Sequence, residues 1–169
     1  MATAALLTAM PAAAETGFLK ITGAKQGLVK GEVTQKGRED SLAVLDLGWG
    51  ISMPSTASGL AIGRRSQQPV TIALRWSKAT PLLLNAAETN EVLTSVVYSG
   101  YVPNADGTES VHHTLTLTNA RITSISIADR KPDSDVLDPA VNITLSYQKL
   151  TMTETDGGIT AQDDWMQAQ

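Results

Sequence analysis

The stretch from Val70 to Glu91, VTIALRWSKATPLLLNAAETNE, decides how the chain is to be read. Its first half alternates. Val70, Ile72, Leu74 and Trp76 share one face, and Thr71, Ala73 and Arg75 share the other, the period of a half-buried strand. Then the chemistry switches. Ser77 and Thr80 are residue types that cap helices, and Pro81 suits a first helical turn, where a missing N–H costs little. Leu82, Leu83 and Leu84 follow, with Ala86 and Ala87 one turn later, so one helical face is apolar. Asn90 ends it. The spacing predicts one short helix over Thr80–Glu88 in a chain otherwise made of strands, and such a helix covers an open side of a sheet or barrel.

Upstream, Ser41–Met53 (SLAVLDLGWGISM) reads as one long strand. Leu45, Leu47, Trp49, Ile51 and Met53 alternate, while Leu42 and Val44 are in the opposite phase, which predicts a bulge near Val44–Leu45. Gly48 and Gly50 flank Trp49 as small residues beside a large ring, not as a dinucleotide loop, because no strand-to-helix turn follows them. Pro54–Pro69 is a Ser/Gly-rich surface loop carrying Arg64 and Arg65. Gly23–Asp40 is polar, with four glycines and Lys25, Lys30, Lys36 and Arg38, and is expected as a solvated loop with at most a short strand near Glu32–Thr34. Thr16–Thr22 is a strand. The first fifteen residues, MATAALLTAMPAAAE, form a flexible or signal-like extension: the apolar run and the alanines suit a signal peptide, but no Lys or Arg precedes them and Pro11 interrupts them. Translation starting at Met10 is a further reading. The remainder, 16–169, is a single domain.

Downstream, Val92–Val102 is a strand ended by turn residues around Asp106-Gly107. Ser110–Asn119 and Arg121–Arg130 read as two strands with a break at Asn119-Ala120. Lys131–Pro139 is a polar loop whose Asp133, Asp135 and Asp138 lack the further oxygen ligands of a calcium site. Ala140–Thr153 is a last long strand that switches face near Gln148–Lys149. A turn at Thr155–Gly158 leads into Ile159–Trp165. Short runs with turn chemistry between them define an all-β domain: a small antiparallel β-barrel with one short α-helix packed against it.

Composition narrows the function. The 169 residues suffice for one domain with a real core. A formal charge of −4 argues against a nucleic-acid binder. There is no cysteine, which excludes disulfides and thiolate metal sites, and no apolar run has the length of a membrane helix. His112 and His113 are the two histidines. As neighbours on a strand they are expected to point to opposite faces and not to share a metal. No Gly-x-Ser-x-Gly elbow occurs, and Glu39-Asp40 and Asp163-Asp164 read as solvated pairs. Catalytic, metal and cofactor-binding residues are therefore expected to be absent, and the chain is not expected to be an enzyme.

Four blocks, in order, resemble the haemolysin-coregulated protein (Hcp) family of bacterial type VI secretion. They are Phe18-Leu19-Lys20-Ile21-Thr22-Gly23; the strand ending in Trp49-Gly50-Ile51; Ser77-Lys78-Ala79-Thr80-Pro81-Leu82-Leu83-Leu84 with its alanine-rich helix; and Leu145-Ser146-Tyr147 through Lys149, Asp156-Gly157-Gly158, Thr160-Ala161-Gln162-Asp163 and Trp165. Gln148 departs from the Gly of many members, which leaves the local bend open. The resemblance implies a structural tube subunit whose hexameric rings stack into a hollow tube. A contractile sheath expels the tube, a spike protein caps it, and its lumen carries effectors. It implies residence in the bacterial cytoplasm before firing, then secretion outside or into a target cell, with no nucleic acid and no membrane insertion. Stacking is expected through the Gly23–Asp40 loop, with Lys30, Lys36, Arg38, Glu39 and Asp40 at the contact and Glu88, Glu91, Asp163 and Asp164 as carboxylates for the opposite rim. With four residues after Trp165, the C-terminal toxin domain some members carry is not expected. Independently, the strands have apolar residues in both phases, more than a monomeric barrel needs, as a ring subunit would. The alternative is a secreted or periplasmic barrel that binds a small ligand in an apolar interior; an enzyme with an unrecognised site is a third, weaker reading.

Overall fold

The computed structural model describes residues 15–60, 63, 65–131 and 135–166. The signal-like extension up to residue 14, Arg64 and Asp133 lie outside them. The element order is β1 (Thr16–Gly23), β2 (Gly27–Val29), β3 (Leu42–Gly48), β4 (Ile51–Ser52), β5 (Ser66–Gln67), β6 (Val70–Arg75), α1 (Thr80–Glu88), β7 (Leu93–Pro103), β8 (Glu109–Asp129), β9 (Pro139–Ser146), β10 (Lys149–Glu154) and β11 (Ile159–Asp164).

Strand β8 organises the molecule. Its first half pairs with β7 and β10, and its second half pairs with β9. Following the neighbours from β8 through β7, β1, β3, β6 and β9 therefore returns to β8 and closes a six-stranded antiparallel barrel. The β10–β11 hairpin extends the sheet from the first half of β8, with β11 at the edge. The expected break at Asn119-Ala120 is instead a bend inside one strand. Asn119 has φ of 52°, a left-handed conformation asparagine tolerates better than most residues. Backbone partners resume at once on both sides: Ala120 lies opposite Leu93 of β7, and Arg121 opposite Ser146 of β9. The kink re-aims the strand without ending it.

Two sequence-level irregularities fall where the phase changes place them. The β3–β6 register shifts between Val44 and Asp46, so Leu45 is the extra residue of a bulge. The long strand ending the chain divides into β9 and β10 around Tyr147–Gln148. Gln148 holds this bend with its own amide: Asn119 Nδ2 donates to Gln148 Oε1 at 2.9 Å, Gln148 N–H donates to Thr118 C=O, and Trp165 N–H donates to Gln148 C=O. A glycine is not required there.

Three expectations are corrected. The strand over Ser41–Met53 stops at Gly48, and Ile51–Ser52 pairs in a separate two-stranded sheet with Ser66–Gln67. Trp49 leaves the alternation because its indole N–H donates to the Tyr147 hydroxyl at 2.6 Å. No strand forms at Glu32–Thr34; the short strand of this region is Gly27–Val29, paired with β1. Trp76 does not join the buried face of Val70, Ile72 and Leu74, since β6 ends at Arg75 and the indole is 49% exposed.

The helix spans the predicted residues, with Pro81 in its first turn. Its cap differs in detail. Ala79 holds the cap position, while Thr80 Oγ1 accepts from Ser77 N–H and Ser77 Oγ from Ala79 N–H. Asn90, at φ 49°, turns the chain away. The apolar face is narrower than three leucines suggest. Leu83 and Ala86 are buried, whereas Leu82 and Leu84 are exposed. The helix packs on β8. Leu19, Ile21, Leu74, Leu117, Ile143 and Leu145 belong to the same continuous core as Leu83 and Ala86.

Candidate functional site

The predicted stacking residues divide into two kinds. Gly31 N–H donates to Asp40 C=O, Asp40 N–H to Val33 C=O and Val33 N–H to Ser41 C=O, so the loop is a compact knot and not a solvated connection. A Cβ on Gly31 would overlap the Ser41 carbonyl, which is why glycine stands there. Lys30, Lys36 and Glu39 are exposed, and Asp40 is half-buried. Asp40 faces Lys30 and Lys78, each at 3.9 Å.

Arg38 is different. It is buried, its guanidinium lies over the rings of Tyr101 (4.0 Å) and Phe18 (4.8 Å), and it pairs with Glu109. This cation fastens the loop to the barrel. The sequence-level signal was present, an Arg with aromatic residues on two strands, but the pairing of β1 with β7 is needed to see it. Arg38→Ala should lower the unfolding free energy by roughly 2 kcal/mol, the scale of one charged hydrogen bond plus a cation–π contact. Lys36→Ala should change it by less than about 0.5 kcal/mol. Urea denaturation measures both.

Among the carboxylates expected on the opposite rim, Glu91 is buried and accepts N–H bonds from Lys25 (2.6 Å) and Gln26 (3.0 Å), so it belongs to the fold. Asp163 pairs with Arg65 and Gln67, and Asp164 accepts from Met166 N–H. Glu88 is exposed.

The barrel also carries two apolar grooves. The first lies where Leu47 and Trp49 face Tyr98, Leu115, Met152 and Ile159. Tyr98 sits at its floor with a hydroxyl that donates to Glu15 Oε1 at 3.1 Å; burial first, then that carboxylate, push its pKa up to about 12, so it remains a donor at neutral pH. The second groove runs between the helix and the far half of β8, lined by Trp76, Pro81, Leu84, Ile125 and Ile127. Ile159 is 69% exposed and Ile127 54%. Isolated exposed aliphatics are ordinary, but contiguous apolar lining marks an interaction surface.

The histidines do not point apart. The β7–β8 register shifts so that Gly100 lies opposite His113 and Tyr101 opposite Val111, leaving His112 as the extra residue. This bulge removes the alternation on which the opposite-face expectation rested. The two rings are 6.0 Å apart, and donor atoms of His112, His113 and Glu154 lie within 4.8 Å of one another.

Among the described residues the chain is a closed antiparallel β-barrel with one helix and two unlike apolar surfaces. Comparison with known proteins specifies which. Residues 18–153 match the family model described as the type VI secretion system effector, Hcp. The chain is 31% identical to the major exported protein of Pseudomonas aeruginosa, over 90% of this chain and 96% of that one. A crystal structure of an Hcp protein superposes with a TM-score of 0.80 at 26% identity, covering 90% of this chain and 98% of the other. The secreted protein Hcp3 of Pseudomonas aeruginosa gives 0.72 at 29% identity, covering 90% and 99%. The chain belongs to the Hcp family, and it is a subunit of the type VI secretion tube.

Proposed function

We propose that the chain closes head-to-tail into six-membered rings, that the rings stack into a hollow tube, and that the tube is expelled with effectors inside it. The observation that carries this reading is the pair of unlike apolar grooves on the two halves of β8. A head-to-tail ring needs two different complementary surfaces per subunit, whereas a two-fold dimer needs one self-complementary patch. The number six is what the family membership implies. The role is mechanical: the subunit transmits the push of a sheath, presents an end to a spike protein, and lines a lumen. It acts without chemistry on a substrate, waits in the cytoplasm and ends outside the cell, like the exported relative.

Stacking through the loop is retained with altered membership. Lys30, Lys36 and Glu39 are available to a neighbouring ring, with Asp40 beside them, and Arg38 anchors them from below. Exposed ion pairs contribute about 0–1 kcal/mol each, so a six-fold set should stack reversibly and weaken with salt, while the apolar ring contact should not. Lys30→Glu with Lys36→Glu is expected to leave ring size and melting temperature unchanged, and to abolish stacked tubes and secretion. Electron microscopy and a secretion assay read this. Normal tubes from that variant would remove the loop from the stacking contact.

A further inference from the structure

We propose that His112, His113 and Glu154 form a binding site for a divalent transition metal of the zinc class, completed by Asp156 or Glu15. The donors come from three places that the fold brings together: the bulge of β8, the end of β10 with its following turn, and the residue before β1. Four donors about 2.0–2.1 Å from a tetrahedral zinc lie roughly 3.4 Å from one another. His112 Nε2 is 3.5 Å from Glu154 Oε1 and 3.3 Å from Asp156 Oδ2, and His113 Nε2 is 3.2 Å from Glu15 Oε1. These spacings are close to tetrahedral edges, and the donor atoms of His112, His113 and Glu154 fit within a 4.8 Å span.

A second observation is independent of spacing. Glu154 Oε1 is buried and accepts no well-formed hydrogen bond, its neighbour being the His112 imidazole at 3.5 Å. A buried carboxylate oxygen without a well-formed hydrogen bond is costly, and a cation supplies what is missing. Room has also been kept. Gly100 lies opposite His113, and a Cβ there would come 2.7 Å from the ring and overlap the Glu15 carboxylate. Three carboxylates around two imidazoles offer a dipositive ion more negative charge than histidine pairing alone uses. Imidazole donors favour zinc, copper or nickel over calcium and magnesium, which take oxygen ligands.

A metal here would pin the bulge of β8 to the β10–β11 hairpin, at the rim of the groove that His113 and Glu154 also line. Titration of the tag-free full chain with zinc chloride at neutral pH should show one ion per chain. The bound ion should have nitrogen and oxygen neighbours at about 2.0–2.1 Å by X-ray absorption. His112→Asn, His113→Asn and Glu154→Gln should each weaken binding at least tenfold. Glu32→Gln, which alters a carboxylate elsewhere, should leave it unchanged. Circular dichroism confirms that each variant is folded, and the half-exposed ligands make all three substitutions tolerable. No binding by the wild type at a several-fold molar excess of zinc overturns the proposal. So does undiminished binding by the His112→Asn/His113→Asn double variant.

Discussion

Three adjacent leucines are expected to give three different outcomes when each is replaced by aspartate. Leu83→Asp should strongly destabilise the barrel: the side chain is 1% exposed and sits in the continuous core. The substitution removes a buried leucine and places a carboxylate there without a partner, at a cost of more than about 4 kcal/mol. For a chain of this size that is a fall of roughly 10 °C or more in melting temperature. Leu82→Asp, at a 38% exposed position, should melt within a few degrees of wild type and still assemble. Leu84→Asp, 45% exposed, should also keep the fold, but it lines the helix-side groove and should release monomers. Thermal unfolding and light scattering on the three variants separate core, neutral surface and assembly surface along a single turn. Equal melting of all three would show that the helix does not close the core.

The second large effect concerns the two grooves. Ile159→Asp spoils the first and Ile127→Asp the second, and both side chains are more than half exposed, so neither should unfold the barrel. Each variant alone is expected to run as a chain of 17.8 kDa. Burying an aspartate in an apolar contact costs several kcal/mol at every interface of the ring. Mixing the two should restore one contact. The intact first groove of one variant meets the intact second groove of the other, which gives a heterodimer of about 36 kDa and nothing larger. A self-complementary contact predicts the opposite, since each variant would then dimerise by itself through its undamaged patch.

How much of this was legible beforehand depends on the range of the interactions. The helix was readable to its ends because Pro81, the leucines and Asn90 are local signals. The bulge at Leu45 and the corner at Gln148 were readable because a change of phase is written in the alternation itself. The barrel was expected, but the way it closes was not legible. It depends on Asn119 bending β8 while its backbone partners change from β7 to β9, and no local residue distinguishes that from a turn. The setting of Arg38 was hidden for a related reason. In sequence it is one cation in a polar loop, and only the fold sets it over Phe18 and Tyr101. Glu91, a candidate carboxylate for the opposite rim, is held inside by two backbone N–H groups of a distant loop. The histidines were separated by the strand rule and reunited by a bulge whose position is set in the partner strand.

The electrostatics of the loop follow the same division. Lys30 and Lys36 are screened surface charges, so their contribution should vanish in high salt. The Arg38–Glu109 pair is largely shielded from solvent on the Arg side and should persist. On the proposed stacking contact, salt should separate stacking from folding without any substitution.

The most direct measurement is the mass and shape of the wild-type particle, by light scattering across micromolar concentrations and by negative-stain microscopy. Six chains of 17.8 kDa predict a species of about 107 kDa, seen end-on as a ring with six-fold symmetry and a central hole. A species of about 18 kDa at every concentration, with no rings in the images, would contradict the ring.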